Sequence, residues 1–268
     1  MAAGAAARRL RMRARPRSAR RVLRALCLGL ALAGPLAQEA GAGVIGAGYG
    51  DPTTRYGHAV LGDDVEYGSL VLTVASTGGS GASLAADYKT SEILIRLPQD
   101  HVFEDIAPRL ADVDGDGSPE VLVVETDVAA GAQLAVYDAD GEKITETPHI
   151  GTRNRWLAPI GAADLDGDGH VEIAYIDRPH LAKTLRIWRF RDGALHEVAS
   201  KAGLTNHRIG EDFITSGIRD CGQGAELVMV SGDWRRIIAA RLQDGEITAR
   251  EIGPFDPDTR LADALACR

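Results

Sequence analysis

Two loops of this sequence carry carboxylates at a fixed spacing. They are Asp112-Val-Asp114-Gly-Asp116-Gly-Ser118-Pro-Glu120 and, 52 residues on, Asp164-Leu-Asp166-Gly-Asp168-Gly-His170-Val-Glu172. Acids at loop positions 1, 3, 5 and 9 converge on one point when glycines at positions 4 and 6 let the backbone curl. Position 7, Ser118 or His170, adds a backbone carbonyl. Several hard oxygen donors of high negative charge suit a hard cation of calcium size, and carboxylates so crowded repel one another unless a cation neutralises them. The expectation is two calcium ions, one on Asp112, Asp114, Asp116, Glu120 and the Ser118 carbonyl, the other on Asp164, Asp166, Asp168, Glu172 and the His170 carbonyl. An EF-hand would need glutamate at position 12, where Val123 and Tyr175 stand, so that motif is excluded. No acid, base or nucleophile accompanies either loop in sequence. The ions are therefore expected to be structural, their binding free energy adding to folding free energy.

Something must hold these loops in place, and the surrounding sequence repeats in register with them. Each loop runs into an apolar, β-branched stretch, Val121–Val124 or Ile173–Ile176. Decayed copies occur at Gly222–Val230 and Gly62–Glu66, so that Glu66, Glu120, Glu172 and Glu226 fall at intervals of 54, 52 and 54. Asp140-Gly141, Asp192-Gly193 and Asp244-Gly245 keep a spacing of 52 and mark hairpin turns. One period accommodates four short strands, in the third repeat Trp156–Ala162, Val171–Ile176, Thr184–Phe190 and Ala194–Ala199. Long amphipathic helices are absent, which argues against an α/β sheet. The predicted fold is all-β, a β-propeller of about four four-stranded repeats of 52–54 residues. Val44–Ala47 is expected either to close the ring by pairing with the last blade or to belong to a partial fifth. The alternative is an open array; closure is favoured because it removes exposed edge strands. Asp258–Ala266 is expected to form a short helix.

The D-x-D-G-D-G-x-x-[DE] loop running straight into a strand at blade-length intervals resembles the FG-GAP (VCBS-type) repeats of integrin-α-like β-propellers. Glu120 and Glu172 depart from the aspartate usual in that family at position 9. The resemblance implies a propeller domain over residues 44–255, calcium, and a non-catalytic binding, adhesion or scaffold role toward a protein or glycan.

Charge and address agree with an extracellular setting. All nine arginines of residues 1–37 precede the first acidic residue, Glu39; without them 21 basic side chains face 38 acidic ones, a net −17. So acidic a body is repelled by nucleic acid and anionic lipid. Leu26–Ala37 is too short an apolar run for a membrane span of about 20 residues. Residues 1–37 read as a signal peptide cleaved within 33–42, making the protein periplasmic or secreted, with no transmembrane segment after its removal. Arg20-Arg21 weakly resembles a twin-arginine signal. Export leaves Cys221 and Cys267, expected to form a disulfide that ties the tail, 256–268, to the body.

A propeller gathers ligand sites where its inner strands meet the axis. Polar residues on or before those strands give a candidate axial pocket: Arg55, His58 and His101; Glu104, Asp105 and Arg109; Arg155 and Trp156; and Arg208, Glu211 and Asp212. They equally suit salt bridges and turn caps between blades. No G-x-S-x-G, H-E-x-x-H or phosphate-binding loop appears, and Gly46-Ala-Gly48-Tyr-Gly50 is followed by Pro52 instead of a helix. The first function class is thus a calcium-binding propeller that binds a protein or glycan. The second is a small extracellular hydrolase or lyase acting on a polysaccharide.

Overall fold

The computed structural model describes residues 43–77, 88–258 and 261–268. The signal expected over 1–37 and its cleavage region lie outside them. The chain is all-β apart from one short helix. It is laid down as successive antiparallel meanders. The first unit holds β1 (Gly43–Thr53), β2 (Glu66–Thr77) and β3 (Tyr88–Arg96). In the second, β4 (His101–Phe103) and β5 (Arg109–Ala111) pair with the same edge of β6 (Glu120–Asp127), and β7 (Gly131–Tyr137) and β8 (Lys143–Glu146) follow. The third has β9 (Leu157–Ala163), β10 (Glu172–Asp177), β11 (Thr184–Arg191) and β12 (Ala194–Ala202). In the fourth, β13 (Leu204–Thr205) and β14 (Gly217–Asp220) flank one edge of β15 (Ala225–Ser231), with β16 (Arg236–Gln243) and β17 (Glu246–Pro254) outside it. The four strands expected in the third repeat are these, displaced by at most three residues.

Alternation along the central strands explains why they read as unbroken apolar runs. Val121 and Val123 pack toward Leu70, Leu72 and Val74 of the first unit, while Leu122 and Val124 pack toward Ile173 and Tyr175 of the third. Ala174 and Ile176 then meet Leu227 and Met229 of the fourth. The far face of β15, Val228 and Val230, is covered by Leu261 and Ala264 of the tail, where α1 (Ala262–Leu265) forms the core of the expected helix. Each such side chain contributes roughly 1.5–3 kcal/mol by leaving water.

Apolar cores therefore join units one to two, two to three and three to four. Between four and one the link is made by Val60 and Leu61 of the segment 54–65 and Ile214 of the β13–β14 connection, which share the core of units two and three. Val44–Ala47 does not close onto the last unit: β1 pairs with β2, Val44 opposite Val74, and Val44 and Ala47 pack in the core with Leu70 and Leu72 while Ile45 is exposed. The segment 54–65 instead crosses to the fourth unit, where Val60 O accepts a bond from Gly210 N at 3.1 Å. Two of the three Asp-Gly pairs form turns with both residues left-handed, Asp192 (φ 53°) with Gly193 (74°) and Asp244 (51°) with Gly245 (76°). Among the described residues no helix is long and apolar enough to cross a membrane.

Candidate functional sites

The acidic loops fold as ladders of side-chain to backbone bonds. In the first, Asp112 accepts from Gly115 N (2.7 Å) and Gly117 N (3.0 Å), Asp114 from Asp116 N (3.0 Å), Asp116 from Ser118 N (2.7 Å), and Glu120 from Val113 N (2.8 Å). The second repeats this bond for bond, from Asp164 on Gly167 and Gly169 to Glu172 on Leu165. Positive φ at Gly115, Gly117, Gly167 and Gly169 supplies the curl. One carboxylate oxygen from each of Asp112, Asp114 and Glu120 lies within 4.8 Å of the others, and the same holds for Asp164, Asp166 and Glu172. These groups can hold a metal ion. Asp116 and Asp168, expected as ligands, fall outside both triplets; each carboxylate holds the turn at position 7.

The two loops differ in what faces them. Arg189, paired across the ladder with Glu172, places its guanidinium on Asp166 (2.6 Å), Asp168 (2.8 Å) and Glu172 (2.5 Å). One residue beyond the Val121–Tyr137 pair, the first loop has Asp138, which caps its own turn through Asp140 N and Glu142 N. Burial, reinforced by Asp114, Asp112 and Asp116, pushes Glu120 up to about 7 against the pull of Val113 N–H. The donor set of the first loop therefore fits a divalent cation. In the second a guanidinium already occupies the carboxylates.

A second site lies where segment 54–65, the β4–β5 connection, the stretch before β9, the β10–β11 loop and the β13–β14 connection converge. Glu104, fully buried, takes a short bond from His58 Nδ1 and accepts from Thr126 Oγ1 at 2.7 Å. Its backbone carbonyl accepts Trp156 Nε1 at 2.7 Å. Trp156 stacks beside His180 (6.4 Å between centroids, 17°) and meets His207 edge-on (4.9 Å). His207 Nε2 donates to Glu211 O (2.9 Å), which leaves its Nδ1 to accept from His180 Nε2 (3.0 Å). Burial, followed by the charges of His207 and His58, holds His180 down at about 4, and burial lowers His207 as well. Both rings are neutral at neutral pH. Beside them opens a cleft of 360 Å³ lined by Arg155, Arg178, Leu181 and Ile209 with His58 and His180. Asn154 Oδ1, also on its wall, is buried with no hydrogen-bond partner among the described residues.

Of the residues expected at the axis, Arg155 and Trp156 are here with His58 and Glu104. Asp105 lies buried behind them in an ion pair with Arg109. Arg208 turns away, its guanidinium 4.0 Å from the Trp234 ring. Glu211 contributes its carbonyl, and Asp212 is exposed. Arg55 binds the His101 carbonyl (Nε to O 3.1 Å), and His101 itself points to Asp127. The sequence reading missed Arg178 and His180. The signal was Arg178-Pro-His-Leu181 in a strand-to-strand loop, where Arg178 is held at φ 48°. The tail is tied as expected: Cys221 and Cys267 form a disulfide.

Antiparallel meanders with metal-capable acidic loops at their strand entries define a β-repeat protein. Residues 112–175 match the FG-GAP-like repeat, so the chain carries that repeat. No curated protein matches it. Two solved structures resemble it at 16% identity over 73% of its length: the rhamnogalacturonan lyase PL11 of Bacillus licheniformis (TM-score 0.39) and the exotype rhamnogalacturonan lyase YesX (TM-score 0.37). The chain spans 44% and 42% of their lengths.

Proposed function

We propose that the chain is an exported, propeller-type FG-GAP binding module whose cleft takes an acidic glycan and whose first acidic loop is fixed by calcium. The four meanders act as blades, with their inner strands β4/β5, β9 and β13/β14 around the cleft. The observation that carries the ligand class is the cleft wall itself. Arg155 offers a guanidinium suited to a carboxylate. Arg178, whose Nε and Nη2 are held by Asp177 at 2.8 and 3.0 Å, is left with Nη1 to meet a ligand. Asn154 Oδ1 is a buried acceptor awaiting a donor such as a sugar hydroxyl, and Leu181 and Ile209 give an apolar rim. Calcium follows from the all-oxygen donor set. Calorimetry with a uronic-acid oligosaccharide and its neutral counterpart tests the ligand. Binding of the acidic chain alone, weakened tenfold or more in Arg178→Met, is the expected result. Equal binding of both, or of neither at millimolar concentration, overturns it.

A second reading rests on the neutral His180–His207 pair. An imidazole unprotonated at neutral pH beside two arginines has the components for abstracting a proton next to a uronate carboxyl. Growth of the ultraviolet absorbance of an unsaturated uronide, lost in His180→Ala, would replace the binding role by a lyase.

A further inference from the structure

Three side chains of the second unit, none of them in the acidic loops or lining the cleft, converge with one donor atom each. His101 on β4 stands opposite Asp127 at the end of β6. His149 is brought in by the segment after β8, whose Ile150 N and Gly151 N bond to Ala132 O (3.0 Å) and Ala130 O (2.7 Å). One ligand atom from each of the three lies within 4.8 Å of the others. His101 Nε2 and Asp127 Oδ2 are 3.6 Å apart. That is too long for a strong hydrogen bond, and near the separation of two donors each about 2.0–2.1 Å from one tetrahedral ion.

The atoms behind the donors strengthen the case. His101 Nδ1 is held by Asp100 Oδ1 at 2.8 Å. His149 Nδ1 donates to Gly131 O at 2.7 Å, which fixes the tautomer and leaves Nε2 its lone pair. Asp127 Oδ1 accepts from Ala129 N (2.6 Å) and Ala130 N (2.8 Å), leaving Oδ2 to face His101. Every donor residue is thus oriented through its other polar atom, as metal-ligating histidines and carboxylates are. The His101 and Asp127 side chains are 20% and 25% exposed, so a small ion can enter and a water can remain on it.

We infer that His101, Asp127 and His149 form a site for a borderline divalent transition ion of the Zn²⁺ class. Two imidazoles and one carboxylate favour such an ion over calcium, which prefers oxygen alone, and a three-residue set leaves a coordination position open. Zn²⁺ titration of the full chain in excess calcium, followed by calorimetry, tests it. One equivalent is expected, retained in Asp114→Ala and His180→Ala and weakened at least tenfold in Asp127→Asn and in His149→Ala. Asp127→Asn keeps an acceptor for Ala129 N and Ala130 N, so its melting in chelator should match the parent. Should His149→Ala not fold, Asp127→Asn decides alone. Co²⁺ gives a separate readout, a visible spectrum of nitrogen ligation lost in the same variants. No Zn²⁺ binding at millimolar ion, or binding that Asp127→Asn leaves unchanged, overturns the assignment.

Discussion

The loops at 112–120 and 164–172 share their turn, their glycines and every backbone bond, yet they solve the same electrostatic problem differently. The first has Asp138 where the second has Arg189, and leaves its carboxylates open to a cation from solution. The second carries one in the chain, Arg189. The fourth unit goes further. Its turn, two residues shorter between the glutamate and its ladder partner (Arg219 for Glu226, Ala111 for Glu120), is built on Asp220, which accepts from Gly222, Gln223 and Gly224 N–H. Its buried Glu226 is met by Arg219, Arg241 and Arg250, and Cys221 in the turn is bonded to Cys267. The same place in the repeat thus carries acids that can hold a metal, acids met by a guanidinium, or a shorter turn held by guanidinium groups and a covalent bond.

Removing Arg189 strikes this comparison hardest. In Arg189→Met the fully buried Glu172 loses its partner, and an uncompensated buried charge costs about 3–5 kcal/mol. The loss should appear as a lower melting temperature in chelator. In calcium the variant should bind a second ion and regain much of its stability. A parent protein that already binds two calcium ions with equal affinity would break the distinction between the loops.

The covalent solution is next in size. The disulfide closes a separation of 46 residues and holds α1 over Val228 and Val230, so Cys221→Ser with Cys267→Ser should cost about 2–4 kcal/mol. Melting of the parent in reductant should match the double variant; a melting temperature that reductant leaves unmoved would show that the arginines alone hold this turn.

The repeat was legible because periodicity and turn chemistry are local: Asp-Gly pairs and glycines at loop positions 4 and 6 need only their neighbours to be read. The difference between the loops was not. Arg189 lies 17 residues beyond Glu172, and only the β10–β11 pairing makes it a neighbour. His180 and Arg178 escaped for the same reason, since a cleft is assembled from loops of three units. Closure by Val44–Ala47 failed because an apolar strand pattern specifies burial and leaves its partner open. His101, assigned to the axis from its position on or before a strand, faces Asp127, its partner across the β4–β6 ladder, a pairing that hydrophobic patterning does not report.

Calcium removal should have a smaller effect, confined to the first loop. At a hundredfold excess over Kd, calcium adds about 2.7 kcal/mol. Asp114→Ala should abolish the fall in melting temperature on chelation, while Asp166→Ala should leave that fall and the calcium stoichiometry of the parent intact. A shift lost only in Asp166→Ala would reverse the assignment of the two loops.

The finest probe is pH in the absence of calcium. Burial, then the neighbouring aspartates, raise Glu120 from 4.5 to about 7. Its contribution is therefore fully present below pH 4.5, where both states are protonated, and is lost as pH rises to about 7. Solvent reaches the exposed acids of this loop, so the fall amounts to about 1–2 kcal/mol. Glu226 runs the other way. Burial raises it, but the hydrogen bond and charge of Arg219 and the charges of Arg250 and Arg241 prevail and hold it below its ordinary value, so its contribution is present above pH 4.5 and lost as pH falls. In chelator, denaturant melts should show stability declining as pH rises from 4.5; Glu66, which burial and then Glu104 push up to about 9, shares in that decline, and Glu120→Gln should remove the part of it that falls below pH 7. Saturating calcium should remove that part too, because a bound cation holds the carboxylate ionised. A decline that persists unchanged in Glu120→Gln would mean that the first loop is not where the metal-free protein stores its repulsion.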